Sequence, residues 1–213
     1  MIINNLLSLT KINLILNVMK TTILTIIFAI VISCSKDSAK QDPIAKLPAE
    51  TQTGANTFGV TINGKIYIPR DPTGNGGGLS SKGMTLWGTS DHSWNDLEIK
   101  DGASSVGFQM IIHFHPLNTI GKIILKQSNF HKGIDSTPFN NIYFSIWDSK
   151  ISNYTYYGSM EDLGEVNITK LSGGIFSGNF KGKFVRYDNP NDIIEITDGS
   201  FDIGSDLDSK IFP

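Results

Sequence analysis

The stretch Ile193-Ile194-Glu195-Ile196-Thr197-Asp198-Gly199-Ser200-Phe201-Asp202-Ile203 decides the fold class. Apolar and polar residues alternate on both sides of Asp198-Gly199, and a period of two marks half-buried strands. Asp-Gly tolerates positive φ at both central positions of a two-residue turn. The spacing therefore predicts a hairpin. Ile196 faces Phe201 and Ile194 faces Ile203 on an apolar face, and Glu195 opposes Asp202 on an acidic one.

The same pattern continues outward from this stretch. Asn63-Gly64 predicts a turn between strands at 57–62 and 65–69, and Asp101-Gly102 predicts one between 97–100 and 104–114. Phe176, Gly178, Phe180, Gly182 and Phe184 fall on one strand face, and glycine inside a strand marks a bulge or a close backbone approach. Ile142, Phe144 and Ile146 alternate, as do Val166 and Ile168. From Phe58 onward no window carries an apolar stripe of helical period and length. The expectation is a single all-β domain over 58–213, an antiparallel β-sandwich of about nine or ten strands, with a lipocalin-like β-barrel as the alternative.

The N-terminus reads differently. Of the 18 basic residues only Lys11 and Lys20 precede position 34, while all 20 acidic residues follow it. Residues 21–33 form an apolar run behind Lys20, and about 13 residues of helix reach roughly 20 Å, short of a ~30 Å hydrocarbon core. Residues 1–33 therefore read as a signal peptide with a helical apolar segment, and Met19 offers a second complete start. Val31-Ile32-Ser33-Cys34 has the order of a bacterial lipobox: aliphatic residues, a small residue, then the cysteine that takes diacylglycerol on its sulfur. Acylation there, palmitate included, adds roughly 0.8 kcal/mol of membrane affinity per buried CH₂, so two or three chains anchor the protein durably. Residues 34–57 then read as the lipidated Cys34 and a flexible tether, with Pro43, Pro48, Thr51 and Thr53 among polar residues.

Cys34 is the one cysteine of 213 residues. Once it is lipidated, the domain holds no disulfide, thiol nucleophile or cysteine metal ligand. A net charge of −2 gives no electrostatic case for nucleic acid.

Leu47-Pro48-Ala49-Glu50-Thr51-Gln52-Thr53-Gly54-Ala55-Asn56-Thr57-Phe58-Gly59, followed by Ile62-Asn63-Gly64-Lys65, resembles the opening of a family of small Bacteroidota-type lipoproteins of unknown function. The ending resembles that family too, in Gly164-Glu165-Val166-Asn167-Ile168-Thr169-Lys170-Leu171 and in Glu195 through Ile203. Val60 stands where the family pattern has cysteine. Ser35-Lys36-Asp37 is similar to the surface-export signal of such lipoproteins. The resemblance implies lipidation, an outer-membrane location and an all-β domain, and it supplies no activity.

Few residues suggest chemistry. His113 and His115, two apart on a strand, project side by side and form half of a possible Zn²⁺ or Cu²⁺ site that needs a further ligand. Alternation places them on the face away from the core. No Gly-x-Ser-x-Gly elbow is present, and Gly74-Asn75-Gly76-Gly77-Gly78 lacks the Gly-Lys-Ser/Thr ending of a phosphate loop. No cofactor motif is found. Aromatic side chains carry a better case: Trp87, Trp94 and Trp147, the last near Tyr154, Tyr156 and Tyr157, suit stacking against sugar rings. The expectation is a lipid-anchored envelope protein whose domain binds a glycan or another envelope protein, or has a structural role. A glycan-acting hydrolase and a carrier of a small apolar ligand are the alternatives.

Overall fold

A computed structural model describes residues 46–73, 82–104 and 106–213. The signal peptide, Val31 to Asp37 with Cys34, and the glycine-rich 74–78 lie outside the described residues.

The described domain is nearly all β, as the alternation predicts, and its paired strands are antiparallel. Its strands are β1 (Thr57–Ile62), β2 (Lys65–Tyr67), β3 (Met84–Gly88), β4 (Asn95–Lys100), β5 (Gln109–Phe114), β6 (Gly121–Ile124), β7 (Asn141–Asp148), β8 (Asn153–Ser172), β9 (Ile175–Arg186) and β10 (Asn189–Ile203). They form one ten-stranded sheet in the order β2-β1-β10-β9-β8-β7-β5-β4-β3, with β6 against β8. The sheet curls into a half-barrel, an arrangement between the sandwich and the barrel that the sequence leaves open.

Curling brings distant strands face to face. Phe114 of β5 meets Phe176 of β9 edge-on, with centroids 5.2 Å apart, and lies 6.2 Å from Phe201 of β10. Phe144, Phe180 and Phe184 fill the same interior, each at most 2% exposed. Burying rings of this size contributes roughly 2–3 kcal/mol each, so an interior of this kind holds together without disulfides. The two ends of the sheet also approach each other. Arg70, just past β2, bridges Asp101, just past β4, and its Nε and Nη2 each donate to that carboxylate at 2.7 Å.

Asn63-Gly64 forms the expected turn, with φ of 51° and 76°. Asp198-Gly199 does not. Residues Asn189–Ile203 are one long strand, and the register on β9 slips between Ile196 and Gly199. Asp198-Gly199 is thus a β-bulge. The bulge shifts the parity of the strand, so Ile194 and Ile196 point inward before it and Phe201 and Ile203 after it. Glycine is required because a Cβ at position 199 would lie 2.2 Å from the Phe180 ring. The predicted face-to-face pairs across a turn are replaced by pairing with β9, Ile196 opposite Gly182 and Phe201 opposite Gly178. Asp101-Gly102 is likewise no tight turn: Lys100 pairs with Gln109, so an eight-residue loop joins β4 to β5.

The tether expectation also needs correction. Residues 46–57 are docked on the outer face of the sheet. Leu47 and Pro48 cover Gly59, where a Cβ would lie 2.9 and 2.4 Å from them. Asp202, 1% exposed, accepts hydrogen bonds from the amides of Thr53, Gly54 and Ala55 at 3.1, 2.9 and 3.1 Å. The hydroxyls of Thr51 and Ser177 donate to it at 2.5 and 2.6 Å. A buried carboxylate must be satisfied in this way, and the segment's own amides do it. Asn56 completes the join, donating to Asp206 and accepting from the Gly204 amide, both at 2.7 Å.

Candidate binding site

The site lies on the outer face of β4, β5, β7 and β8. Antiparallel register arranges that face in rows across the strands. One row is Asp96, His113 and Asn141; the next is Glu98, Ile111, Tyr143 and Gly158; the third is Lys100, Gln109, Ser145 and Tyr156.

A strap formed by residues 125–140 covers the first two rows. The Ser128 amide donates to the Ser159 carbonyl at 3.0 Å, and the Ser128 hydroxyl donates to Asn141 at 3.0 Å. Phe130 lies over Gly158, where a Cβ would be 2.7 Å from its ring, and touches Tyr187 edge-on at 5.0 Å. Its φ of 62° is left-handed, a strain of about 1 kcal/mol that these contacts offset. The Gly133 amide donates to Asp96 Oδ2 at 2.6 Å.

His113 is therefore not the surface residue that alternation suggests. It is 1% exposed beneath this cover. Its Nδ1 is 2.5 Å from Asp96 Oδ1, and Trp94 stacks over it at 6.4 Å. Its Nε2 is buried without a hydrogen-bond partner among the described residues. His115 does stand beside His113, with centroids 6.2 Å apart. Burial, followed by the neighbouring His113, lowers its pKa. Among the described residues no group of three or more His, Cys, Asp or Glu is placed to hold a metal ion.

The third row remains open. It floors two adjoining clefts of about 360 and 320 Å³ that share Gln109, Ser145 and Tyr156. Together they make one trough. The strap forms one wall with Phe130, Lys132 and Asp135, and the 101–108 loop with Tyr154 forms the other. From Lys100 to Tyr156 the floor crosses three strand spacings, about 14 Å. Tyr143 borders it. Burial, aided by Asp96 and Glu98, pushes its phenol well above the usual range, so it stays protonated as a donor.

Of the aromatic candidates, Trp147 joins this face. It lies opposite Tyr154 in the register and meets it edge-on at 5.3 Å. Tyr156 is 49% exposed. Tyr157 points inward, stacked on Phe144 at 5.5 Å. Trp94 is spent on covering His113 and packs against Gly133. Trp87 stands exposed on β3, apart from the trough, its Nε1 donating to Thr85 at 2.8 Å. Sequence reasoning missed Gln109, Ser145 and Lys100 as neighbours, because only the register puts them in line.

No family model, no curated protein and no solved structure matches the chain.

Proposed function

We propose that this chain is a lipid-anchored outer-membrane protein, held by acyl chains on Cys34, whose all-β domain binds glycan without turning it over. The lipobox Val31-Ile32-Ser33-Cys34 and the Ser35-Lys36-Asp37 that follows it support the anchor. The resemblance to Bacteroidota-type lipoproteins agrees with this reading. Its opening and ending motifs are the two segments that meet at Asp202.

One observation carries the glycan assignment. Tyr156 presents a half-exposed ring in line with Ser145 and Gln109, with Trp147 and Tyr154 beside it. Sugar rings offer C–H faces for stacking and hydroxyls for hydrogen bonds, and this row supplies both kinds of partner. The Asp96–His113 pair is sealed under the strap and cannot reach a ligand in the trough. That favours binding over hydrolysis. The phenylalanine rings occupy the inner face, which favours the outer face over a carrier's interior.

The anchor is tested by labelling cells with radioactive palmitate; label on wild type and none on Cys34→Ala is expected. The ligand is tested by a glycan array with full-length protein in detergent. Tyr156→Ala should lose at least tenfold in affinity while its melting temperature stays put. An array without any hit rejects the glycan reading.

A further inference from the structure

We infer that the glycan in this trough is an acidic one, an extended polysaccharide of uronic-acid type laid across the strands with its carboxylates against Lys100 and Lys132. This inference rests on the glycan reading above.

Its basis is where the charges stand in depth. Glu98 lies at the edge of the trough with its side chain only 4% exposed, and two ammoniums converge on its Oε1, Lys100 at 2.9 Å and Lys132 at 3.6 Å. Gln109 donates to the same oxygen at 2.7 Å. Asp101, at the other wall, is 10% exposed and held by Arg70. Both carboxylates are thus sunk and matched, while Lys132 above them is 57% exposed. A ligand reaching the floor meets ammonium groups before it meets the acids beneath. At 3.6 Å from Glu98, Lys132 is beyond a good hydrogen bond, so a sugar carboxylate at its head gains a charge-assisted bond without breaking one.

Asp135 is the opposing charge, an exposed acid on the strap wall of the same cleft. It repels a carboxylate at the strap end and directs the acidic groups towards Lys100. The 14 Å length of the floor suits several linked rings rather than one, with Tyr156 as the platform between the charged end and the aromatic end.

The test is calorimetric titration of the full-length protein in detergent with a short oligogalacturonate and with its fully methyl-esterified form, the same chain without charge. The acid is expected to bind at least fivefold tighter, with the advantage shrinking as salt rises. Lys132→Gln should remove most of that advantage, lowering affinity for the acid more than for the ester. Asp135→Asn should tighten the acid several-fold, an effect that loss of structure cannot mimic. Equal affinity for acid and ester, both lost in Tyr156→Ala, would overturn this inference and leave the glycan reading intact. Binding of neither form would overturn it as well, and the glycan array then decides the wider reading.

Discussion

The amide of Gly54 donates to Asp202 across 148 residues of chain, at 2.9 Å. This bond and its neighbours make the N-terminal segment part of the domain. Gly54 has φ of 74°, and a Cβ there would lie 3.0 Å from Gly204 Cα, so the segment is fitted to its seat.

Asp202→Ala should cost on the order of 3–5 kcal/mol, because several buried donors lose their acceptor at once. Chemical denaturation measures it. The pH dependence has a definite sign. Burial pushes the Asp202 carboxyl up, but hydrogen bonds from Ser177, Thr51 and the Ala55 and Gly54 amides outweigh it and hold the group well below the usual carboxylate range. A group with a depressed folded pKa stabilises above its unfolded value, near 3.9, and that stability drains away as pH falls towards the folded value. Wild type should therefore lose stability below about pH 4 more steeply than Asp202→Asn does.

Gly199→Ala tests the bulge. A methyl group cannot fit 2.2 Å from the Phe180 ring, so the ring or the strand must move. A loss of about 1–3 kcal/mol in urea unfolding is expected, as for other overpacked sites. Phe180→Leu in the same background should return part of it.

The strap depends on Asp96. Asp96→Ala removes the acceptor of the Gly133 amide and takes the partner of His113 Nδ1, whose Nε2 already has none among the described residues. Hydrogen exchange at the Gly133 amide should accelerate by ten- to a hundredfold, in line with about 1–3 kcal/mol of lost hydrogen bonding. Exchange along β9 should not change.

Arg70 and Asp101 join the two ends of the curled sheet. The pair is two-pronged and largely buried, so a double-mutant cycle with Arg70→Ala and Asp101→Ala should show a coupling of about 1.5–3 kcal/mol. Arg70→Lys should keep only part of it, since an ammonium cannot reproduce the planar fork.

The strands were legible because their information is local. Alternation at Phe176, Phe180 and Phe184 reports one inward face wherever the partner strands lie, and Asn63-Gly64 carries its own turn chemistry. Asp198-Gly199 misleads because the same dipeptide suits a turn and a bulge. The Phe180 ring on the neighbouring strand decides between them, and no feature near position 199 announces it. The same holds for the site. A tight turn at Asp101-Gly102 would pair Lys100 with residue 103, whereas the longer loop pairs it with Gln109 and sets Asp96 beside His113. The exposure that alternation assigns to His113 fails because a strap from farther along the chain covers a face that period two marks as outer. The aromatic cluster was half legible: parity separates Tyr156 from Tyr157, but only the register adds Ser145 and Gln109.

Docking of residues 46–57 also limits how far the domain could range from a bilayer under the anchoring proposed above. For a chain acylated at Cys34, the 11 residues 35–45 can span at most about 40 Å, against about 80 Å for the 23 residues 35–57. Under the proposed anchoring, the domain would stay in a thin layer just above the headgroups, and its proposed ligand would be polysaccharide close to the surface rather than chains farther out in the medium.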